Sequence, residues 1–311
     1  MATSGSVDFL PNRNEIIKGA LRLCSALGSQ ESLSSEDARD VGEALNMIAK
    51  SWMADGLQVW LQDEATIFLS VGTQSYSLGA GGDHASASSI KTEVKTAVSS
   101  GTTLDVDSTT GMTAADNIGL ELDDGTMHWT TIASVTDSDT VELTDAVPSA
   151  AAVDNHVYTY TTLLTRPLRI TEAWHVDESN EDTPLLEMSR KDYVSLSTKS
   201  TQGRTTQFFY DRQLTNGIFH VWPTADNLKH RIKIYFHREV HDFDSSTDDP
   251  DFPKHYLRAL KFALASDIGD EYGVPVNRLE RWERKAYMLK EEAMMFDVED
   301  GSIQLGIDDR G

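Results

Sequence analysis

Helical periodicity occupies only the two ends of this 311-residue chain, and everything between Ala65 and Val240 reads as β structure. At the amino end, Asn12 with Glu15 is a capping pair, and Ile17, Ala20, Leu21, Cys24 and Leu27 mark an apolar stripe as far as Gly28, predicting a helix over 12–28. Ala38, Val41, Leu45, Ile48 and Trp52 step by three and four residues, predicting a second helix over 34–55 that stops at Gly56. At the carboxyl end, Phe252-Pro253 opens a helix over 253–273 carrying Tyr256, Leu257, Leu260, Leu264 and Ile268. Asn277 with Glu280 then caps one over 277–297, striped by Trp282, Ala286, Leu289, Ala293 and Phe296. Neither pair has enough apolar surface to stand alone. The simplest packing joins them in one helical layer, with Trp52, Trp282 and Phe296 as core or subunit-interface residues.

The middle of the chain divides by composition. Ala65–Leu78 is β-prone, with Val71-Gly72-Thr73-Gln74 as its turn, and predicts a hairpin. Residues 83–162 are rich in Thr, Ser, Ala and Asp, and their only basic residues are Lys91 and Lys95. Short runs at Thr103–Val106, Ile118–Leu122, Met127–Val135, Thr140–Leu143 and Val157–Tyr160, with Asp123-Asp124-Gly125 as a hairpin turn, predict an inserted small barrel or sandwich. From Leu163 the pattern changes again. Leu168–Val176 and Leu185–Met188 flank a polar turn, Thr206–Gln213 and Ile218–Trp222 flank Asn216-Gly217, and Ile232, Ile234 and Phe236 alternate with Lys233, Tyr235 and His237. The fold class expected is therefore α+β: a discontinuous helical bundle from both chain ends, an antiparallel β domain, and the insert. A polar tail, 298–311, follows.

Charge narrows the function. Fifty acidic residues against 27 basic ones give a net charge of −23, which argues against gripping DNA, RNA or an anionic membrane. A single cysteine, Cys24, leaves no disulfide framework and no multi-cysteine metal site, and its place on an apolar stripe predicts a core thiol. Met1–Leu10 has no basic and apolar regions of a secretory signal, and no window has the ~18 apolar residues of a membrane span, so synthesis in a cytoplasm is expected.

The sequence carries no nucleophile elbow, no phosphate loop, no dinucleotide fingerprint and no zinc-protease helix. His237 and His241 are four apart, but on a strand running into a loop rather than on a helix, so they are expected at the surface. Asp105, Asp107, Thr109 and Asp116 approach a calcium-loop spacing, but Thr110 stands where that loop needs glycine; Asp242, Asp244 and Ser246 fail in the same way. Among 50 acids no catalytic pair stands out. No catalytic residue, metal ligand or cofactor is assigned.

Several stretches together resemble a known family: Glu15–Leu23, Glu36–Leu61, Val71–Leu78 with Gly81-Gly82-Asp83, Arg166-Pro167-Leu168, Ser189–Tyr193, Phe219–Pro223, Ile232–Phe236 and Phe252–Gly273. In this order they look like the tail accessory factor, or head-to-tail adaptor, of short-tailed phages, over most of 12–82 and 163–297. The resemblance implies a structural virion protein, not an enzyme. Such proteins form a ring beneath the portal that matches its symmetry, twelve-fold in the family. The ring extends the DNA channel without specific binding and seats tail nozzle or fibre proteins. It also implies that the carboxyl-terminal segment docks onto the portal, a role that falls here on Ile303, Leu305 and Ile307, which alternate like a strand awaiting a sheet edge. The insert resembles a small β module of phage structural proteins. The competing expectation is a virion-associated cell-wall-degrading or glycan-binding tail protein, with the insert as its binding module.

Overall fold

A computed structural model describes residues 5–28, 30–53 and 59–296. The end of the second predicted helix at Gly56 and the whole tail from 297 lie outside the described residues. The helices are α1 (Arg13–Cys24), α2 (Ser35–Met53), α3 (Arg190–Ser195), α4 (Leu257–Asp267) and α5 (Val276–Phe296). The strands are β1 (Gln62–Phe68), β2 (Ser75–Leu78), β3 (Ala85–Ser86), β4 (Ile90–Glu93), β5 (Thr103–Asp105), β6 (Asn117–Glu121), β7 (Met127–Val135), β8 (Thr140–Leu143), β9 (His156–Tyr160), β10 (Arg169–Val176), β11 (Asp182–Pro184), β12 (Leu186–Glu187), β13 (Gln207–Asp211), β14 (Gly217–Trp222) and β15 (Arg231–His237). The fold is α+β with mostly antiparallel sheets. The chain divides into two compact units, Met1–Leu61 with Val240–Gly311, and Gln62–Glu239.

The first unit is helical and draws on both chain ends. One apolar cluster holds Ile17, Leu21 and Leu45 from the amino end with Tyr256, Leu260 and Leu264 from the carboxyl end, all essentially inaccessible. Burying each such side chain contributes about 1.5–3 kcal/mol. Polar ties reinforce the join: Tyr272 donates to Asp37 (2.7 Å), Lys50 to the Val240 carbonyl (2.6 Å) and Arg278 to the Leu23 carbonyl (2.8 Å).

Helix ends differ from the sequence expectation. Asn12 and Glu15 do form a reciprocal capping box. α1, however, stops at Cys24 and not at Gly28, because Ser25 turns left-handed (φ 63°) and its N–H bonds back to the Arg22 carbonyl. The stretch 253–273 is broken into a 3₁₀ turn (Lys254–Tyr256), α4, and a second 3₁₀ turn (Ile268–Asp270). Asn277 lies inside the first turn of α5 and does not cap it; Arg278 N–H already bonds to the Pro275 carbonyl at 2.8 Å.

The second unit contains three sheets. A five-stranded sheet runs β11-β10-β15-β1-β3 and a four-stranded one β12-β13-β14-β2. They share one core, in which Ile67, Ile232, Ile234 and Phe236 of the first meet Tyr76, Leu78, Phe208 and Phe219 of the second. β13 and β14 pair as an antiparallel hairpin, as expected, but the connection is the stretch 212–216 and not a two-residue Asn216-Gly217 turn: neither residue has positive φ, and Gly217 already belongs to β14. The hairpin predicted over Ala65–Leu78 does not form. β1 pairs with β15 and β3, while β2 pairs with β14, so the chain crosses between sheets at 69–74. Tyr76 fixes that crossing, its hydroxyl oxygen accepting the Ser70 N–H at 2.9 Å. Similarly, β10 takes β11 as its partner across the polar turn, and Leu186–Glu187 leaves to pair parallel with β13.

The third sheet lies within the inserted stretch, in the order β4-β9-β6-β7-β8-β5, around its own core of Val94, Leu104, Ile118, Val141, Val157 and neighbours. The five predicted strands are present, together with β4, which its Ile-Lys-Thr-Glu composition concealed. Val94 and Val106 bridge the two edge strands, with Lys95 N–H on the Asp105 carbonyl (2.9 Å) and Asp107 N–H on the Glu93 carbonyl (3.0 Å). Ala85 and Ser86, also within 83–162, pair with β1 of the five-stranded sheet. An aromatic seam joins insert and sheet: Phe68 packs against Trp129, Tyr158 and Tyr160, and His84 stacks on Trp129 with ring centres 3.8 Å apart.

Candidate interaction surface

Trp52 and Trp282 are core residues of the helical unit. Trp52 meets Phe252 edge-on at 6.1 Å with the Lys290 ammonium over its ring, and Trp282 lies under the Arg278 guanidinium. Phe296 is not core: it is 81% exposed, with the His255 ring 5.3 Å from its own. Ile303, Leu305 and Ile307 lie outside the described residues.

Phe296 belongs to a wider surface. The outward side of α5 also exposes Val276, Tyr287, Met288 and Met295. Val276 and Tyr287, eleven apart, share one stripe, and Met288 and Met295, seven apart, share the next. These apolar side chains are interleaved with Glu280, Arg284 and Glu291 on the same side of the helix, and methionine adapts to varied partners.

Two open grooves flank α4. The first, about 600 Å3, lies between α1 and α4 and carries Lys18, Arg22, Lys254, Arg258 and Lys261 against one acid, Glu15. The second, about 590 Å3, lies among α2, α4 and α5 and carries Asp267, Asp270, Glu280 and Glu283 against one cation, the buried Lys290, with the exposed Val276 and Tyr287. Sequence reading missed both. The net charge of −23 averages the cationic groove away, although Lys254, Arg258 and Lys261 recur at helical spacing.

The other candidate groups are occupied by structure. Cys24 is buried, its thiol donating to the Ala265 carbonyl at 3.6 Å, and burial pushes its pKa up, away from a nucleophilic thiolate. His237, expected to face outward, is buried; desolvation, then the Arg169 charge, lowers its pKa, and Gln62 lies at 3.4 Å. His241 is exposed and lies 3.8 Å from Asp251. Asp105 accepts from the Thr140 hydroxyl (3.2 Å), and Asp116 from the Thr113 N–H (2.6 Å) and hydroxyl (3.0 Å), so both carboxylates fasten turns. Among the described residues no three His, Cys, Asp or Glu side chains gather as metal ligands, and no helix is long and apolar enough to cross a membrane. His156 and His175 are pushed down to about 4, in both cases mainly by burial; Lys91 next opposes the His156 proton and His230 that of His175.

No family model matches the chain, and no curated protein matches it.

Proposed function

We propose that this chain is a structural virion protein, a head-to-tail adaptor that forms a ring beneath the portal, connects phage head to tail and extends the DNA channel. The observation that carries the reading is the series of exposed apolar side chains along α5, Val276, Tyr287, Met288, Met295 and Phe296, which a neighbouring subunit of an assembly would cover. The ordered series of stretches from Glu15–Leu23 to Phe252–Gly273 supports it. In this reading the helices of both chain ends form one discontinuous bundle, and the inserted sheet is a small closed barrel carried on the β domain.

The partners are the portal, tail nozzle or fibre proteins, and further copies of the chain in a ring of the portal's symmetry, twelve-fold in the resembling family. DNA passes through without specific contacts; a wall of net negative charge repels phosphate and lets the duplex slide. Ile303, Leu305 and Ile307 dock onto the portal as an added strand. The chain is made in the host cytoplasm and resides at the head-to-tail interface of the virion. No catalytic step and no cofactor enters this role.

The test is to mix the protein with its portal and measure mass, with negative-stain images of the product. The portal is expected to gain one ring of subunits. An unchanged portal mass would refute the reading.

A further inference from the structure

The charges along α4 oppose its own dipole. A helix carries partial positive charge at its amino end and partial negative charge at its carboxyl end. Here Lys254, Arg258 and Lys261 sit at or before the amino-terminal half, and Asp267 and Asp270 at or just after the carboxyl end. Both placements work against the isolated subunit. Among the described residues, moreover, no carboxylate lies within ion-pair distance of Lys18, Arg258 or Lys261, and no cation within that distance of Asp267, Asp270, Glu280 or Glu283. The two sets face opposite ways. At ~100° per residue, Arg258 and Lys261, which line the groove with α1, point roughly 180° away from Ala263 and Asp267, which line the groove with α5.

We infer that the cationic α1–α4 face of one copy packs against the acidic α4–α5 face of a second copy, head to tail. The charge sets are complementary, and each face presents exposed apolar side chains, Phe9 beside one and Val276 and Tyr287 beside the other. A contact between two different patches on opposite sides of a subunit is heterologous, and repeated with a closing rotation it generates a ring, whereas a self-complementary patch would stop at a dimer. In the assembly each end of α4 gains the charge that its dipole favours and its own side chains do not supply. The inference deepens the ring reading and rests on it, by assigning the two surfaces through which neighbouring subunits meet.

Charge exchange tests it. One full-length variant carries Lys18→Glu, Arg258→Glu and Lys261→Glu, and is acidic on both grooves. The other carries Asp267→Lys, Asp270→Lys and Glu283→Lys, and is basic on both. All six side chains are exposed or half-buried, and unchanged thermal melts establish that each variant folds. By sedimentation velocity at high concentration and low salt, each variant alone is expected to lose the association of the wild type. Their mixture is expected to regain it as an alternating assembly, weakening as salt rises. A mixture that associates no better than either variant alone would overturn the inference. So would a wild-type association that disappears on removing residues 297–311, which would give the cationic groove to the acidic tail. Retention of duplex DNA by the wild type but not by the first variant would give it to nucleic acid instead. The portal separates this contact from the ring reading. If the wild type and both variants load equally onto the portal, the ring stands and the grooves are not its contact. If none loads but the mixed variants still pair, the contact stands and the portal reading falls.

Discussion

Replacing Phe68 with alanine isolates the seam between the inserted sheet and the sheet that carries it. Phe68 is 4% exposed and closes ring to ring on Tyr158 at 5.0 Å, Trp129 at 5.3 Å and Tyr160 at 5.9 Å. Its neighbour Ile67 points into the opposite, two-sheet core, so truncation at 68 leaves that core intact. Buried Phe→Ala changes cost about 3–5 kcal/mol, from lost transfer energy and the cavity left behind. Part of the seam survives the change, because His84 remains stacked on Trp129 at 3.8 Å. The low end, about 3 kcal/mol, is therefore expected, a large share of the roughly 5–15 kcal/mol that holds an ordinary domain folded. Urea unfolding reads the total and amide exchange locates it. The Phe68 N–H, bonded to the His84 carbonyl, and the Leu164 N–H, bonded to the Ala85 carbonyl, are expected to lose protection first. The Val94 and Val106 amides, inside the insert, are expected to keep theirs. A destabilisation below about 1 kcal/mol would mean that the four rings touch without carrying load, and the seam argument would fail.

Lowering pH from 6.5 toward 4 is expected to reduce the urea midpoint steadily. His156 and His175 are held near 4 in the folded state, so over that window the unfolded chain takes up protons that the folded one refuses; a His156→Gln, His175→Gln variant that kept the full slope would show that they are not its source. Gly119→Ala places a methyl 2.7 Å from the Trp129 ring, so a loss of about 1–3 kcal/mol is expected in the melt, and a neutral result would mean that the ring can move aside. Truncation after Asp297 is expected to leave the melting curve unchanged while loading onto the portal falls sharply; equal loading at equal concentration would remove the tail from portal docking.

Element type was legible wherever one residue's neighbours along the chain decided it. The stripe through Val41, Leu45 and Trp52 has the helical period, Ile232, Ile234 and Phe236 have the period of a strand with one face buried, and Asn216-Gly217 allows the positive φ of a tight turn. These are local constraints, and the structure forms α2 and β15 where they predict; β13 and β14 also pair, but through a loop over 212–216, with neither Asn216 nor Gly217 at positive φ and Gly217 inside β14, where a Cβ would meet the Tyr210 ring. Partner choice was not legible. A β-prone run with a good turn reads as a hairpin, yet β1 and β2 part because pairing with β15 and β14 sets Ile67 and Tyr76 on opposite walls of one core. That gain depends on residues more than a hundred positions away, which no window of sequence contains. The seam was hidden for the same reason: Phe68 and Trp129 are ordinary strand residues until the insert folds back over β1. Charge shows the limit most plainly. Composition established the sum of −23, but only packing α4 between α1 on one side and α5 on the other made one groove mainly cationic, with five cations against Glu15, and the other mainly acidic, with four acids against Lys290, because a net charge adds and a surface depends on where each charge is held.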